Sequence, residues 1–125
     1  MMREFRKIEA WQLAGDLAVA VYEATEAFPK EEVYGITSQI RRAVTSVAAN
    51  IVEGASRESA KDYAHFLQIA RGSLAETQYF LHLARRLAYL DQELAAELEQ
   101  AARRVFGCLH GLIQAVRGAS ADRDL

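Results

Sequence analysis

Apolar residues recur along this chain at alternating spacings of three and four in four separate blocks, the period of amphipathic α-helices packed on one another. The second block, Tyr34 to Gly54, is the most informative. As a helix it places Gln39, Arg42, Ser46, Asn50 and Glu53 in one narrow polar stripe. Ile36, Ile40, Ala43, Val44, Val47 and Ile51 form an apolar stripe beside it. The remaining positions, Arg41, Thr45, Ala48, Ala49 and Val52, make a poor face to show to water. A helix that is polar outward nowhere is buried on most sides. The pattern therefore predicts a helix inside a bundle, and a bundle inside an oligomer.

The other blocks complete an all-α, up-down-up-down antiparallel four-helix bundle in a single domain. The first helix is expected from about Ile8 to Ala27, with Trp11, Ala14, Ala18, Val21, Tyr22 and Thr25 inward. Phe28-Pro29 ends it, because the residue before proline leaves the helical region. Lys30-Glu31-Glu32 connects it to the second helix, which Gly54 is expected to terminate as a C-cap. After the turn Ala55 to Glu58, Ser59 with Asp62 resembles a weak capping box for a helix running to about Leu87. Tyr63, Phe66, Leu67, Ala70, Leu74, Thr77, Leu81 and Ala84 are its main stripe, while Ile69, Phe80 and Leu83 widen the apolar arc. The fourth helix is expected from Asp91, its N-cap, to about Arg117, with Leu94, Leu98, Ala101, Val105, Cys108 and Leu112 as its seam. Residues 119–125 are read as a frayed polar tail. Short connections make sequential helices antiparallel neighbours.

Composition sharpens the class. At 125 residues the chain is long enough for one real core, and its single proline fits an all-helical protein. A net charge of −2 argues against broad phosphate-backbone binding. One cysteine, Cys108, permits no intrachain disulfide and fits a reducing compartment. No apolar run reaches spanning length, so a cytoplasmic protein without membrane contact is expected.

Catalytic chemistry finds little support. A di-metal carboxylate bundle needs two Glu-x-x-His motifs, and the nearest match is Asp62-Tyr-Ala-His65, once. His82 and His110 have no carboxylate three residues earlier. No metal, cofactor, small-molecule substrate or catalytic residue is assigned. The polar stripe supports a more specific expectation. If the second and third helices fold about Arg57, Arg42 and Gln39 lie near Ser73 and Glu76. A buried Arg42–Glu76 ion pair, supported by Gln39, Ser46, Asn50, Glu53 and Ser73, would then fix the helix register or form a ligand site. Gly107 and Gly111 suggest a close helix approach. Arg41, Arg71, Arg85, Arg86, Arg103 and Arg104 are the candidate nucleic-acid contacts, diluted by Glu93, Glu97 and Glu99.

The residues Tyr34-Gly35-Ile36-Thr37-Ser38-Gln39-Ile40-Arg41-Arg42-Ala43, Asn50-Ile51-Val52-Glu53-Gly54 and Phe66-Leu67-x-Ile69-Ala70-x-Gly72-Ser73-Leu74-x-Glu76, with Trp11, Val21-Tyr22 and Phe28-Pro29, carry a resemblance. They resemble the four-helix bundle proteins of the 23S rRNA intervening-sequence family, also labelled S23 ribosomal proteins. One departure is Val52, where the family often has alanine. The resemblance implies an antiparallel bundle assembling into a homopentameric ring, with no established enzymatic activity. It also implies similarity to the accessory proteins of diversity-generating retroelements, basic rings that engage nucleic acid and a reverse transcriptase. This chain is not basic. Two functions follow as expectations: a non-enzymatic homo-oligomeric scaffold, and alternatively an accessory ring that binds RNA or DNA, here with weak affinity.

Overall fold

The computed structural model describes residues 3–124, with side chains as far as Ala119. A 3₁₀ turn, Phe5–Lys7, leads into α1, Glu9–Thr25. A second 3₁₀ turn, Lys30–Glu32, precedes α2, Ile36–Ala55. Then come α3, Ala60–Arg86, and α4, Gln92–Asp124. No strand occurs among the described residues. Helices α1 and α2, α2 and α3, α3 and α4, and α1 and α4 are neighbours. Neither diagonal pair brings Cα atoms within 8 Å among the described residues, and side chains from all four helices fill one core.

Local chemistry sets the boundaries. Thr25 ends α1 where its hydroxyl turns back onto the Tyr22 carbonyl at 3.1 Å, and the Phe28 N–H donates to the Thr25 carbonyl at 3.1 Å. Ser59 caps α3 by accepting from the Asp62 N–H at 3.0 Å, and Asp91 caps α4 by accepting from the Leu94 N–H at 2.7 Å. The α3 end is a Schellman motif. The Tyr89 N–H reaches the Ala84 carbonyl at 2.9 Å, and the Ala88 N–H reaches the Arg85 carbonyl at 3.0 Å. Ala88 adopts φ 61°, the left-handed geometry glycine normally supplies there.

All six apolar positions of the α2 stripe are buried. Ala14, Val21 and Thr25 of α1 are buried as expected, joined by Ala10 and Leu17, while Tyr22 is exposed. Trp11 and Ala18 are half-buried. The core of α3 matches its expected stripe, with Phe66 half-buried and Ala60 and Ser73 added. Leu17, Ile40, Ile51, Leu67, Leu74, Leu81, Leu109 and Ile113 are the largest fully buried aliphatics. Each contributes about 1.5–3 kcal/mol of transfer free energy.

Four expectations need correction. The α4 core stripe is Ala95, Leu98, Ala102, Val105, Leu109, Ile113 and Val116. The expected seam is mostly displaced onto its flank, where Leu94, Ala101, Cys108 and Leu112 are half-buried. The apolar arc of α4 is wide enough to carry both stripes, and packing against α1 and α3 selects the second. Gly54 lies inside α2 and is not its cap, since no glycine has positive φ. It allows close approach: a Cβ there would sit 2.9 Å from the Phe66 Cβ and 3.1 Å from the Tyr63 carbonyl oxygen. Gly107 and Gly111 have no such neighbours within 4 Å. Gly118 likewise does not stop α4, which continues to Asp124. Leu125 lies outside the described residues.

Candidate functional site

The α2 polar stripe meets α3 in a seam of neutral groups. Ser46 Oγ and Ser73 Oγ are 2.8 Å apart. Asn50 Nδ2 donates to Ser46 Oγ at 2.9 Å and to the Ser46 carbonyl at 2.8 Å. Thr77, fully buried, returns its hydroxyl to the Ser73 carbonyl at 2.9 Å. Buried polar groups need such partners, so this seam fixes how α2 and α3 slide against each other. It holds hydroxyls and an amide with no adjacent base, so nothing activates Ser46 or Ser73 as a nucleophile.

The charged part of the expected network is absent from the seam. Arg42, Gln39 and Glu76 are exposed, and none of their side chains makes a hydrogen bond or ion pair among the described residues. Glu53 pairs instead with Arg57 one turn along, at the surface. Two physical reasons apply. Ser46 facing Ser73 centres the α2–α3 hairpin near Ser59 and Ala60, past Arg57, which shifts every cross-helix partner. Burying a guanidinium also costs several kcal/mol of desolvation, which the small hydroxyl seam avoids.

A second polar arrangement lies between α1 and α2. Arg41 Nε donates to Thr25 Oγ1 at 2.8 Å and its Nη2 to the Tyr22 carbonyl at 3.2 Å. Its guanidinium carbon lies 4.6 Å from the Tyr22 ring centroid. A hollow of about 290 Å³ opens here, lined by Tyr22, Val33, Thr37, Ser38, Arg41, Arg42 and Thr45. A neighbouring hollow of about 380 Å³ shares Val33, Thr37 and Arg41 and adds Glu26, Phe28, Pro29 and Lys30. Thr37 lines both, is 7% exposed, and its hydroxyl has no partner. Reading the sequence for function missed Thr37, Tyr22 and Thr45. The signal was the column Thr37, Arg41, Thr45 at spacings of four, hidden because Thr37 directly follows a core isoleucine.

Behind these hollows the Tyr89 hydroxyl donates to Glu32 Oε2 at 2.8 Å, and the Phe28 and Tyr89 rings are 5.5 Å apart. The Glu32 carboxylate raises the Tyr89 phenol above its ordinary pKa by accepting that proton. Cys108 is half-buried, and burial followed by the charge of Glu9 raises its thiol pKa. That suppresses the reactive thiolate.

The remaining candidates are distributed over the helices. Arg71 bonds to Gln68, Arg103 Nη2 donates to Gln100 at 2.7 Å, and Arg85 Nε lies 3.5 Å from Glu99. Arg86 is exposed at the end of α3, and Arg104 lines a hollow with Asp16. His65 packs edge-on to Phe66, His82 lies against Arg85, and His110 stacks on Phe106. No three potential metal ligands converge among the described residues. No helix there is long and apolar enough to cross a membrane.

Four helices closed around one core, with a neutral hydroxyl seam between the second and third, define an all-helical bundle-type protein of small size. Residues 6–111 match the 23S rRNA-intervening sequence protein family, and the chain belongs to that family. A solved structure of a protein of unknown function from the S23 ribosomal protein family of Bacteroides thetaiotaomicron is similar to it. That structure shares 25% identity and a TM-score of 0.75, over 83% of this chain and 97% of the other. None of the proteins with curated descriptions matches this chain.

Proposed function

We propose that the protein is a non-enzymatic scaffold that works as a closed homo-oligomer, a ring of five as the family resemblance implies. Its bundle runs up-down-up-down. That topology is supported by the pairing of Ser46 with Ser73 and of Gly54 with Tyr63 and Phe66, in which numbers rise along α2 as they fall along α3. The observation that carries the assembly is the outer flank of α3. Ile69 is 40% exposed, Leu87 and Tyr79 are exposed, and Phe80 and Leu83 are only half-buried. Such a row along α3 and its C-cap is more apolar than a solvated face requires, and exposed apolar surface of this kind marks interaction surfaces.

Light scattering on the purified chain at micromolar concentration tests this reading. The expected result is a single oligomer, and Ile69→Glu is expected to dissociate it while leaving the helical circular dichroism intact. A monomeric wild type overturns the proposal. The second reading, an RNA- or DNA-binding ring, draws its support from the un-neutralised Arg41. It is the weaker one, because Arg85 is neutralised by Glu99 and Arg104 shares its hollow with Asp16.

A further inference from the structure

The hollow between the end of α1 and the start of α2 plays no part in the α3 contact surface. We propose that it is a binding site for a phosphate group.

The first observation is the state of Arg41. Every partner of its guanidinium is neutral: the Thr25 hydroxyl, the Tyr22 carbonyl and the Tyr22 ring face. No carboxylate lies within ion-pair distance of it among the described residues. The cation is therefore held in place and left un-neutralised. An arginine fixed in advance loses little entropy when it takes an anion.

The second observation is the start of α2. Gly35 offers no side-chain cap, the first turn carries no acidic residue, and the N–H groups of Ile36, Thr37 and Ser38 have no acceptor among the described residues. A helix start in this condition carries partial positive charge and open donors, the combination that binds anions. Thr37 and Ser38 of that turn line the same hollow as Arg41. The third observation is independent of both. The Thr37 hydroxyl is buried without a partner, a condition that native proteins seldom leave uncompensated.

A guanidinium, two hydroxyl-bearing side chains and the start of a helix border one hollow, a combination that suits a phosphate, which offers acceptor oxygens to each. A hollow of about 290 Å³ takes the group with room for what it is esterified to. Two acids stand near. Glu32 touches Gly35 but is engaged by Tyr89, and Glu26 lines only the adjoining hollow, with Lys30. They lower the affinity without filling the site.

The test is an amide NMR titration of the full chain with inorganic phosphate, balanced against chloride at constant ionic strength. Saturable shifts centred on Ile36, Thr37 and Ser38 are expected. Thr37→Val keeps the shape and removes the hydroxyl. It is expected to hold or raise the thermal midpoint while weakening phosphate about tenfold, the worth of one hydrogen bond to a charged group. Arg41→Gln is expected to abolish saturation, and if that variant fails to fold, Thr37→Val decides alone. Absence of saturable shifts overturns the proposal. So do shifts that Thr37→Val leaves unchanged, which mean an adventitious ion only. A second arm repeats the titration with a short single-stranded oligonucleotide. Shifts at the same amides assign the phosphate to a nucleic-acid backbone, and their absence assigns it to free or small-molecule phosphate. Either outcome retains the site.

Discussion

Glycines and one alanine show how much a single Cβ decides here. Gly54 is packed so closely that a methyl group would meet the root of the Phe66 side chain and the Tyr63 backbone, neither of which can swing aside. Gly54→Ala gains about 1 kcal/mol of helix propensity and meets an overpacking cost of about 1–3 kcal/mol. The expected outcome is a net loss in urea unfolding. Gly111→Ala, with nothing within 4 Å, keeps the whole propensity gain and should stabilise. Equal stabilisation by both would mean that α2 and α3 are not in tight contact at Gly54. Ala88 is the opposite case. Its left-handed φ costs an L-residue about 1–2 kcal/mol. Ala88→Gly relieves that and returns part as chain entropy, so a gain of about 0.5–1 kcal/mol is expected from the same measurement. Sequence alone could not separate these positions, because a glycine near a helix end reads as a cap whether it caps or packs.

At the scale of the helix, legibility followed the width of the apolar arc. α2 has a narrow, unmixed apolar stripe, and each of its six positions is buried. α4 has two apolar stripes one residue apart, so periodicity alone could not choose between Cys108 and Leu109, and packing placed Leu109 inside. The polar stripe of α2 was also legible, but its partners depended on where the hairpin turns. A turn centred near Ala60 delivers Ser73 to Ser46 and leaves Arg42 in water. The two residues should therefore respond differently to truncation. Arg42→Ala is expected to move the unfolding free energy by no more than about 0.5 kcal/mol, as for other surface changes. Ser73→Ala leaves Asn50 as the side-chain partner of the half-buried Ser46 hydroxyl and should cost about 1 kcal/mol, the worth of one hydrogen bond. Chemical denaturation of the two variants side by side checks this. A large loss for Arg42→Ala would instead put that side chain at a contact between copies.

For the molecule as a whole, charge separates the scaffold from the nucleic-acid-binding ring. Each chain carries −2, so five copies would carry −10 and repel a polyanion at long range. Part of the local positive charge is paired within the chain: Arg57 with Glu53, Arg85 with Glu99, Arg6 with Glu4. Arg41 differs from the other cations in being fixed at the start of α2, in a hollow suited to a single phosphate. Each phosphate contact on duplex DNA adds only about 0.9 to the slope of log affinity against log salt. Generic RNA or DNA is therefore expected to bind at about 10⁻⁵ M or weaker near physiological salt, in the ordinary non-specific range. Fluorescence anisotropy of labelled single- and double-stranded probes at two salt concentrations measures it. Submicromolar binding that survives the higher salt would require several cations converging on one surface of the assembly. It would replace the scaffold with the nucleic-acid-binding ring.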